Sequence, residues 1–319
     1  MEFDNKTPYP AHFYRTAIRD DTFAASVLVR VTFDVGPRGI VPGDEQPWIP
    51  SRAPWKSPQG EMESDDVYYR GGCDVFLFGS ARPPDGKAAR ELDVRVTVGD
   101  LSRSVRVFGD RVWAGEIGNL KPSEPAPFEA ISLTLPFAFG GKALWDELEV
   151  PHPDNPAGRG FYLDEEEARG GPLPNIEEPG HLITQWTDRP EPVGLGICPM
   201  RFGPRLRRGT TFDATGSLSK LHPSLFNAAF PGMIAARIEP GMRVTVTGVR
   251  AGGPLELTVP TLELVARLRL GNDVHDELLE IDQLGLEVDE GRLFVSYRYA
   301  FRYVMTPGRS RSCTVTQRA

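Results

Sequence analysis

The chain has 319 residues, 40% hydrophobic and 25% charged, an ordinary globular balance that excludes disorder of the whole chain. Its formal net charge of -8 argues against the basic footprint typical of nucleic-acid-binding proteins. With 33 glycines and 30 prolines, the composition predicts many turns and little helix. The length fits about two domains or one large β unit.

Period-two alternation is the dominant pattern in the N-terminal part. Val27, Val29 and Val31 point to one side of a predicted strand, and Arg30 and Thr32 point to the other. This pattern is typical of a strand with one buried face and one face in solvent.

Two Gly-Asp pairs follow. Residues 92–98 and 102–108 alternate on either side of Gly99-Asp100, which predicts a two-residue hairpin turn. The second pair, Gly109-Asp110, precedes a short apolar stretch at 111–113. The two pairs together predict a three-stranded meander.

Proline and glycine crowd the segment from Phe139 to Phe212. Regular structure is expected there only as one helical turn at 164–169. A loop of this length in a compact protein is usually functional, a binding segment, or disordered. Its aromatic residues, among them Phe161 and Trp186, favour ordering against a core.

Alternating strands resume in the C-terminal part. They are predicted at 242–246, 255–259, 262–270, 284–288 and 293–304. One short helix is predicted at 222–230, with Ser219 as its cap. The sequence therefore predicts a mainly β fold with few short helices. Two antiparallel β lobes of sandwich-like or barrel-like form, residues 1–140 and 216–319, would be joined by a Pro/Gly-rich segment at 141–215.

No pattern of catalytic chemistry is present. The G-x-S-x-G, H-E-x-x-H and phosphate-binding loop motifs are absent, and the five histidines show no metal-ligand spacing. Cys73 follows Gly71-Gly72, but no nearby helix start or basic cluster would lower its pKa. The acidic run at 164–167 is typical of a solvated face. We therefore predict no catalytic residue, no metal and no cofactor.

Two sets of residues are candidates for partner binding. The first is a basic stretch, Arg205, Arg207 and Arg208, which is either a solvated loop or a docking patch for an acidic partner. The second lies on the strand from Leu293, where tyrosines and arginines alternate. Its members are Tyr297, Arg298, Tyr299 and Arg302. Tyr and Arg are enriched at binding hot spots, although an aromatic row is also typical of a core.

An ordered set of short sequence motifs, called the family words below, resembles the domain-of-unknown-function family 2169, whose genes accompany type VI secretion genes. The words carry these residues: Gly109, Asp110, Arg111, Trp113, Phe139, Gly140, Gly141, Asn155, Pro156, Gly158, Gly160, Leu173, Pro174, Asn175, Gly194, Gly196 and Asn227. Pro and Asn residues of this kind fix turns and supply no acid, base or nucleophile. The word residues are therefore interpreted as architectural. The chain departs from the family pattern at residues 230–233 and after Met200.

The resemblance implies a non-enzymatic adaptor or chaperone that loads a secreted effector onto the spike of a type VI secretion system. The implied partners are that effector and a spike or tip protein, with no nucleic acid and no membrane insertion. The N-terminus lacks the pattern of a secretory signal, and the few cysteines fit a reducing compartment, so a bacterial cytoplasmic location is expected.

Two other functions stay open from the sequence. A structural or carbohydrate-binding β module would use exposed aromatic platforms, for which Trp113, Trp145 and Trp186 are available. A hydrolase is the third alternative.

Overall fold

The computed structural model describes residues 1–37 and 39–318. Strands make up 48% of the structure and helices 6%, which confirms the prediction of a mainly β fold. The described residues form two α-helices, α1 (Glu165–Ala168) and α2 (Gly203–Gly209). Two 3-10 turns cover Leu135–Phe137 and Pro223–Phe226.

The strands that precede α1 have four or fewer residues, apart from five that have six or more. They are β1 (Glu2–Asn5), β2 (Ala11–Ala17), β3 (Thr22–Gly36), β4 (Gly39–Pro42), β5 (Trp55–Ser57), β6 (Gly60–Met62), β7 (Cys73–Phe78), β8 (Ser80–Ala81), β9 (Glu91–Val98), β10 (Leu101–Phe108), β11 (Trp113–Ala114), β12 (Lys121–Pro122), β13 (Ile131–Ser132), β14 (Phe139–Gly140), β15 (Lys142–Trp145), β16 (Leu148–Pro151) and β17 (Arg159–Gly160).

The remaining strands follow α1 in the chain. They are β18 (Ile176–Glu177), β19 (Thr210–Phe212), β20 (Leu218–Leu221), β21 (Ile234–Ala235), β22 (Arg243–Thr247), β23 (Leu255–Thr258), β24 (Leu264–Leu270), β25 (Asp273–Leu278), β26 (Glu280–Glu287), β27 (Arg292–Val304) and β28 (Arg311–Gln317).

Three large sheets organise these strands. The seven-stranded sheet has the order β2-β3-β27-β26-β7-β21, with β4 paired to β3. The five-stranded sheet has the order β18-β10-β9-β22-β23, and the four-stranded sheet the order β1-β28-β24-β25. No sheet formed by the described residues closes on itself.

Each large sheet combines strands from both predicted lobes. β3 pairs with β27 along its length, β9 pairs with β22, and β1 pairs with β28. The lobes are therefore portions of the sequence and not separate units in space. The pairing is also not purely antiparallel, because β26 and β7 are parallel, as are β1 and β28.

Strand β3 differs from its prediction. Alternation predicted one face in solvent, but Arg30 and Thr32 are as buried as the valines opposite them. The polar face is covered by residues 44–70, from which Trp48 packs on Phe294 of β27, the ring centroids 4.1 Å apart. A sheet covered on both sides buries every position of its central strands.

The first predicted hairpin is confirmed, because β9 and β10 pair antiparallel around Gly99-Asp100. The predicted third strand of the meander is wrong. β18 occupies the second edge of β10, with Val107 opposite Ile176. Residues 113–114 pair instead with β12.

The helical turn at 164–169 is confirmed as α1, capped by the Asp164 side chain, which accepts from the backbone N–H groups of Glu166 and Glu167. The predicted helix at 222–230 is wrong. It shortens to the 3-10 turn Pro223–Phe226, after which Asn227 bonds to another segment. Ser219 is no cap, because it lies in β20.

Two apolar cores result. The main core joins the valine side of β3 with the buried side chains of β9, β10 and β22. The smaller core is built around Trp113, Phe139, Phe161 and Leu173. We call residues 109–189, which surround this second core, the motif sublobe, since most of the family words lie in it.

Candidate functional site

A groove of about 910 Å³ opens between the edges of two different sheets. Residues 276–278 of β25 line one side, and residues 236–238, directly after β21, line the other. Among the described residues, β25 pairs only with β24 and β21 only with β7. The outer side of an edge strand carries unpaired backbone N–H and C=O groups, which can bond an added strand. We call this site the edge groove.

Charged side chains form the floor of the edge groove. Asp282 Oδ2 accepts from Arg70 Nη1 at 2.7 Å and from Arg298 Nε at 3.0 Å. Arg298 Nη1 also donates to the Ser26 hydroxyl at 3.0 Å and to the Val67 carbonyl at 2.6 Å. These bonds fix the Arg298 guanidinium between the sheet and the covering segment.

The charges continue below the floor. Arg30 Nη2 donates to Asp65 at 2.7 Å and to Gln283 at 3.0 Å, and Arg30 Nε donates to Ser296 at 2.8 Å. Arg70 Nε lies 3.3 Å from Asp74. We call the set Arg30, Asp65, Arg70, Asp74, Asp282 and Arg298 the ionic cluster. Its three positive and three negative groups balance, which buried ions require.

The pKa directions follow from this arrangement. Burial alone would raise the pKa of Asp282, but the guanidinium groups of Arg298 and Arg70 outweigh burial and hold it below its ordinary value. Asp65 behaves in the same way beside Arg30. Burial raises the pKa of Asp74, and the nearby Arg70 guanidinium offsets only part of that rise.

Asp74 also holds the backbone beside the groove. Its carboxylate accepts from the backbone N–H groups of Ala228 and Ala229, at 3.0 and 3.3 Å. Asn227 donates to Asp74 and to the Gly72 carbonyl, and its own side-chain oxygen accepts from the N–H of Gly71. These bonds give the family-word residue Asn227 an architectural role.

The rim of the groove carries both signs of charge. Arg237 lies 3.7 Å from Glu280, and both side chains are exposed. Tyr299 lines the groove near Glu277. Burial raises the pKa of the Tyr299 hydroxyl, and the negative charge of the Glu277 carboxylate raises it further. A segment with mixed polar side chains would find both donors and acceptors here.

Cys73 lines the groove, but its thiol is not activated. Burial raises the pKa of Cys73 to about 11, and its Sγ donates to the Ile281 carbonyl at 2.9 Å. A nucleophilic cysteine needs a lowered pKa. In residues 1–37 and 39–318, no group of three or more His, Cys, Asp or Glu side chains could hold a metal ion. The chemistry this groove offers is hydrogen bonding and charge pairing.

The structure divides the predicted tyrosine and arginine row. Tyr297 is buried in the core, and Arg298 is buried except where its side chain forms part of the groove floor. Tyr299 is partly exposed and lines the groove, and Arg302 is exposed above the Tyr68 ring at 5.9 Å. The first two residues of the row are therefore buried, and the last two reach the surface.

The predicted basic stretch, Arg205, Arg207 and Arg208, is also part buried and part exposed. Arg205 is fully buried and donates to Glu63 at 2.6 and 2.7 Å and to two backbone carbonyls, so it is not a docking residue. Arg207 is exposed and Arg208 partly buried. All three belong to α2, an element the sequence did not predict, since Gly203 and Pro204 open it.

Side chains of the family words in the motif sublobe form hydrogen bonds to the backbone of other segments. Asn155 Nδ2 donates to the Leu135 and Phe139 carbonyls at 2.8 and 3.0 Å. Gly140 lies so close to the Asn155 carbonyl that an added Cβ would be 2.1 Å from its oxygen. Asn175 Nδ2 donates to the Phe108 carbonyl and to Asp110, at 3.0 Å each. These contacts support an architectural reading.

Other word residues also face inward. Arg111 bonds to Glu177 and to the Pro174 carbonyl, and its guanidinium stacks on the Phe108 ring. Trp113 is buried, so it offers no carbohydrate platform; of the three tryptophans considered for that role, Trp145 is strongly exposed. Gly194 and Gly196 lie apart from the sublobe, packed on Phe230 and Phe78.

Sequence reasoning missed Arg70, Asp74 and Asp282. Their partners are far apart in the chain, 212 residues in the case of Arg70 and Asp282. One signal was available for Asp74, which interrupts the otherwise apolar strand segment Cys73–Phe78. A lone acid in a fully apolar strand indicates a buried partner.

Comparison with known proteins gives one match. The family model described as "Uncharacterized protein conserved in bacteria (DUF2169)" matches residues 20–298, which is well over half of the chain. No curated protein and no solved structure matches the chain significantly. No helix in the described part of the chain is long and apolar enough to cross a membrane.

Proposed function

The chain belongs to the bacterial DUF2169 family, and from that premise we propose that it is a non-enzymatic adaptor for a type VI secretion effector. In this proposal, an extended segment of the effector lies in the edge groove and adds to a free strand edge. The adaptor then helps to bring the effector to the secretion spike.

One observation carries the proposal: residues 276–278 of β25 line the groove, and among the described strands β25 pairs only with β24, which leaves its other edge free. Strand addition draws its affinity from main-chain hydrogen bonds, so it suits a partner that must be held and later released. The ionic cluster keeps the floor rigid, and the rim supplies charges of both signs for side chains of the segment.

The thiols argue against a hydrolase that uses a cysteine nucleophile. Burial raises the pKa of Cys73 to about 11 and that of Cys198 and Cys313 to about 12. At neutral pH these groups stay protonated and are poor nucleophiles. The word residues likewise bond to backbone and present no acid–base pair.

The test is co-purification from a native cell that expresses its type VI secretion genes. A tagged chain is expected to retain a type VI effector, identified by mass spectrometry. Two single variants of the edge strand, His275→Pro and Asp276→Pro, locate the contact. Neighbouring residues of a strand point their N–H groups to opposite sides, so one proline removes an outward donor and the other removes a bond to β24.

We expect the outward proline to abolish effector retention without lowering the melting temperature. The inward proline should lower the melting temperature, which identifies it. Recovery of no type VI effector with the unsubstituted chain would refute the adaptor function. Full retention by both variants would refute strand addition at β25 while leaving the adaptor function standing.

A further inference from the structure

The hairpin of β15 and β16 exposes an apolar tip. Trp145 and Leu148 face each other across the turn and are 61% and 69% exposed, and Leu144 is exposed beside them. The turn residues Asp146 and Glu147 both have positive φ, 47° and 68°, a backbone region that side chains other than glycine occupy at a cost. Positive φ at both positions is the usual geometry of a two-residue hairpin turn. The exposed tryptophan is the feature that indicates a contact surface, because tryptophan is enriched at binding hot spots.

The tip is strongly acidic. The hairpin and the neighbouring α1 carry six carboxylates against one lysine, Lys142. The two elements are joined, because the Leu144 N–H donates to Glu167 at 3.0 Å. The Gly140-Gly141 word braces the base of the hairpin, with the Gly141 N–H donating to the Asn155 carbonyl at 2.8 Å. We call this element the acidic tip.

A second exposed surface has the opposite charge. The hairpin of β19 and β20 pairs Phe212 with Leu218, and both side chains are exposed, as is Leu221. A two-stranded hairpin with an uncovered apolar face is marginally stable by itself. Lys220 is exposed in β20, Arg207 in α2 and Arg201 just before α2, whereas Asp213 is the one carboxylate between residues 201 and 221. We call this element the basic patch.

The base of the acidic tip lies beside the start of α2, which leads into the basic patch. The N–H of Gly203, where α2 begins, donates to Asp154 at 2.8 Å, three residues after β16 ends at Pro151. Two adjoining elements of one chain can contact their counterparts on a second copy reciprocally. A reciprocal contact around a two-fold axis is closed and self-complementary, the commonest form of soluble dimer.

We propose that the occupant of the basic patch is the acidic tip of a second copy of this chain, exchanged reciprocally in a two-fold dimer. The proposal rests on matching charge and on apolar faces of both elements, and it does not depend on the proposed adaptor function. Each contact is small, so the dimer forms in a concentration-dependent manner, at about micromolar levels.

The experiment measures molar mass by sedimentation and light scattering on the full chain, over about 1 to 200 μM protein. The tip variant Glu147→Lys/Glu149→Lys and the patch variant Arg201→Glu/Lys220→Glu each place like charges in both contacts. We expect each variant alone to dimerise at least about tenfold more weakly. An equimolar mixture should dimerise like the unsubstituted chain, because both contacts then join opposite charges.

An apolar variant and its control complete the design. Trp145→Ser should weaken the dimer by about tenfold or more, whereas Ile49→Ser, at an equally exposed isoleucine elsewhere, should not. A chain that is monomeric across the range overturns the proposal. So does a dimer that tolerates both charge variants, or a mixture that fails to restore it.

Discussion

The seven-stranded sheet and the motif sublobe both bury many polar groups, but they bury different kinds. The sheet carries full charges, three arginines and three aspartates of the ionic cluster, contributed by segments far apart in the chain. The sublobe has one buried ion pair, Arg111 with Glu177, and otherwise relies on the amides of Asn155 and Asn175 and on close glycines. Charges bind one another, while the amides bind backbone.

The difference has an energetic consequence. A buried charge whose partner is removed has no solvent to replace that partner, so its loss costs several kcal/mol. A lost amide leaves carbonyl groups that cost less individually, about 1 to 3 kcal/mol each. The sheet should therefore respond most strongly to loss of a charge, and the sublobe to any atom added where two backbones meet.

The largest effect is expected from Asp282→Ala. It leaves the guanidinium groups of Arg70 and Arg298 buried without their carboxylate, and should lower the free energy of unfolding by about 3 to 5 kcal/mol. Urea unfolding measures this loss. The matched control is Asp276→Ala, which removes an exposed carboxylate paired with Arg267 and should change stability little. Equal losses in the two variants would mean that the cluster does not hold the sheet.

A smaller effect in the sublobe is expected from Gly140→Ala. The added Cβ would lie 2.1 Å from the Asn155 carbonyl oxygen at a φ of +144°, so the two segments must separate. We expect a loss of about 3 kcal/mol in urea unfolding. Gly170→Ala is the control, because its φ of +78° is also unfavourable but no atom lies within 4 Å. It should lose only about 1 kcal/mol; an equal loss there would leave the close approach without energetic weight.

The same contrast explains what the sequence could reveal. Alternation and Gly-Asp turns predicted β9, β10 and most C-terminal strands, because these signals are local. The sublobe words are local too, so their architectural reading needed no knowledge of the fold. Alternation did not reveal the ionic cluster, because it separates the two faces of a strand but does not tell whether the second face is covered.

Arg205 and Arg298 illustrate the limit. Each was a candidate surface residue, since arginine among polar neighbours is usually exposed. The partner of Arg205, Glu63, lies 142 residues away in the chain, so only the fold brings it close. The partner of Arg298, Asp282, is 16 residues away in the neighbouring strand β26, but Val67 of the segment that covers the pair is 231 residues away. The edge groove is a product of the same non-local arrangement, as β25 and β21 belong to different sheets.

The smallest effect concerns acid pH, where members of the ionic cluster oppose one another. The folded-state pKa of Asp282 lies below its unfolded value near 3.8, so its contribution to stability is full above that pH and is lost as the pH falls. The pKa of Asp74 is raised, so its contribution has the opposite sign and grows as the pH falls towards 3.8. Urea unfolding between about pH 7 and pH 3 separates them. The free energy of unfolding should fall less steeply below about pH 5 in Asp282→Asn than in the unsubstituted chain, and more steeply in Asp74→Asn. Parallel curves for all three proteins would show that neither carboxyl changes its proton affinity on folding.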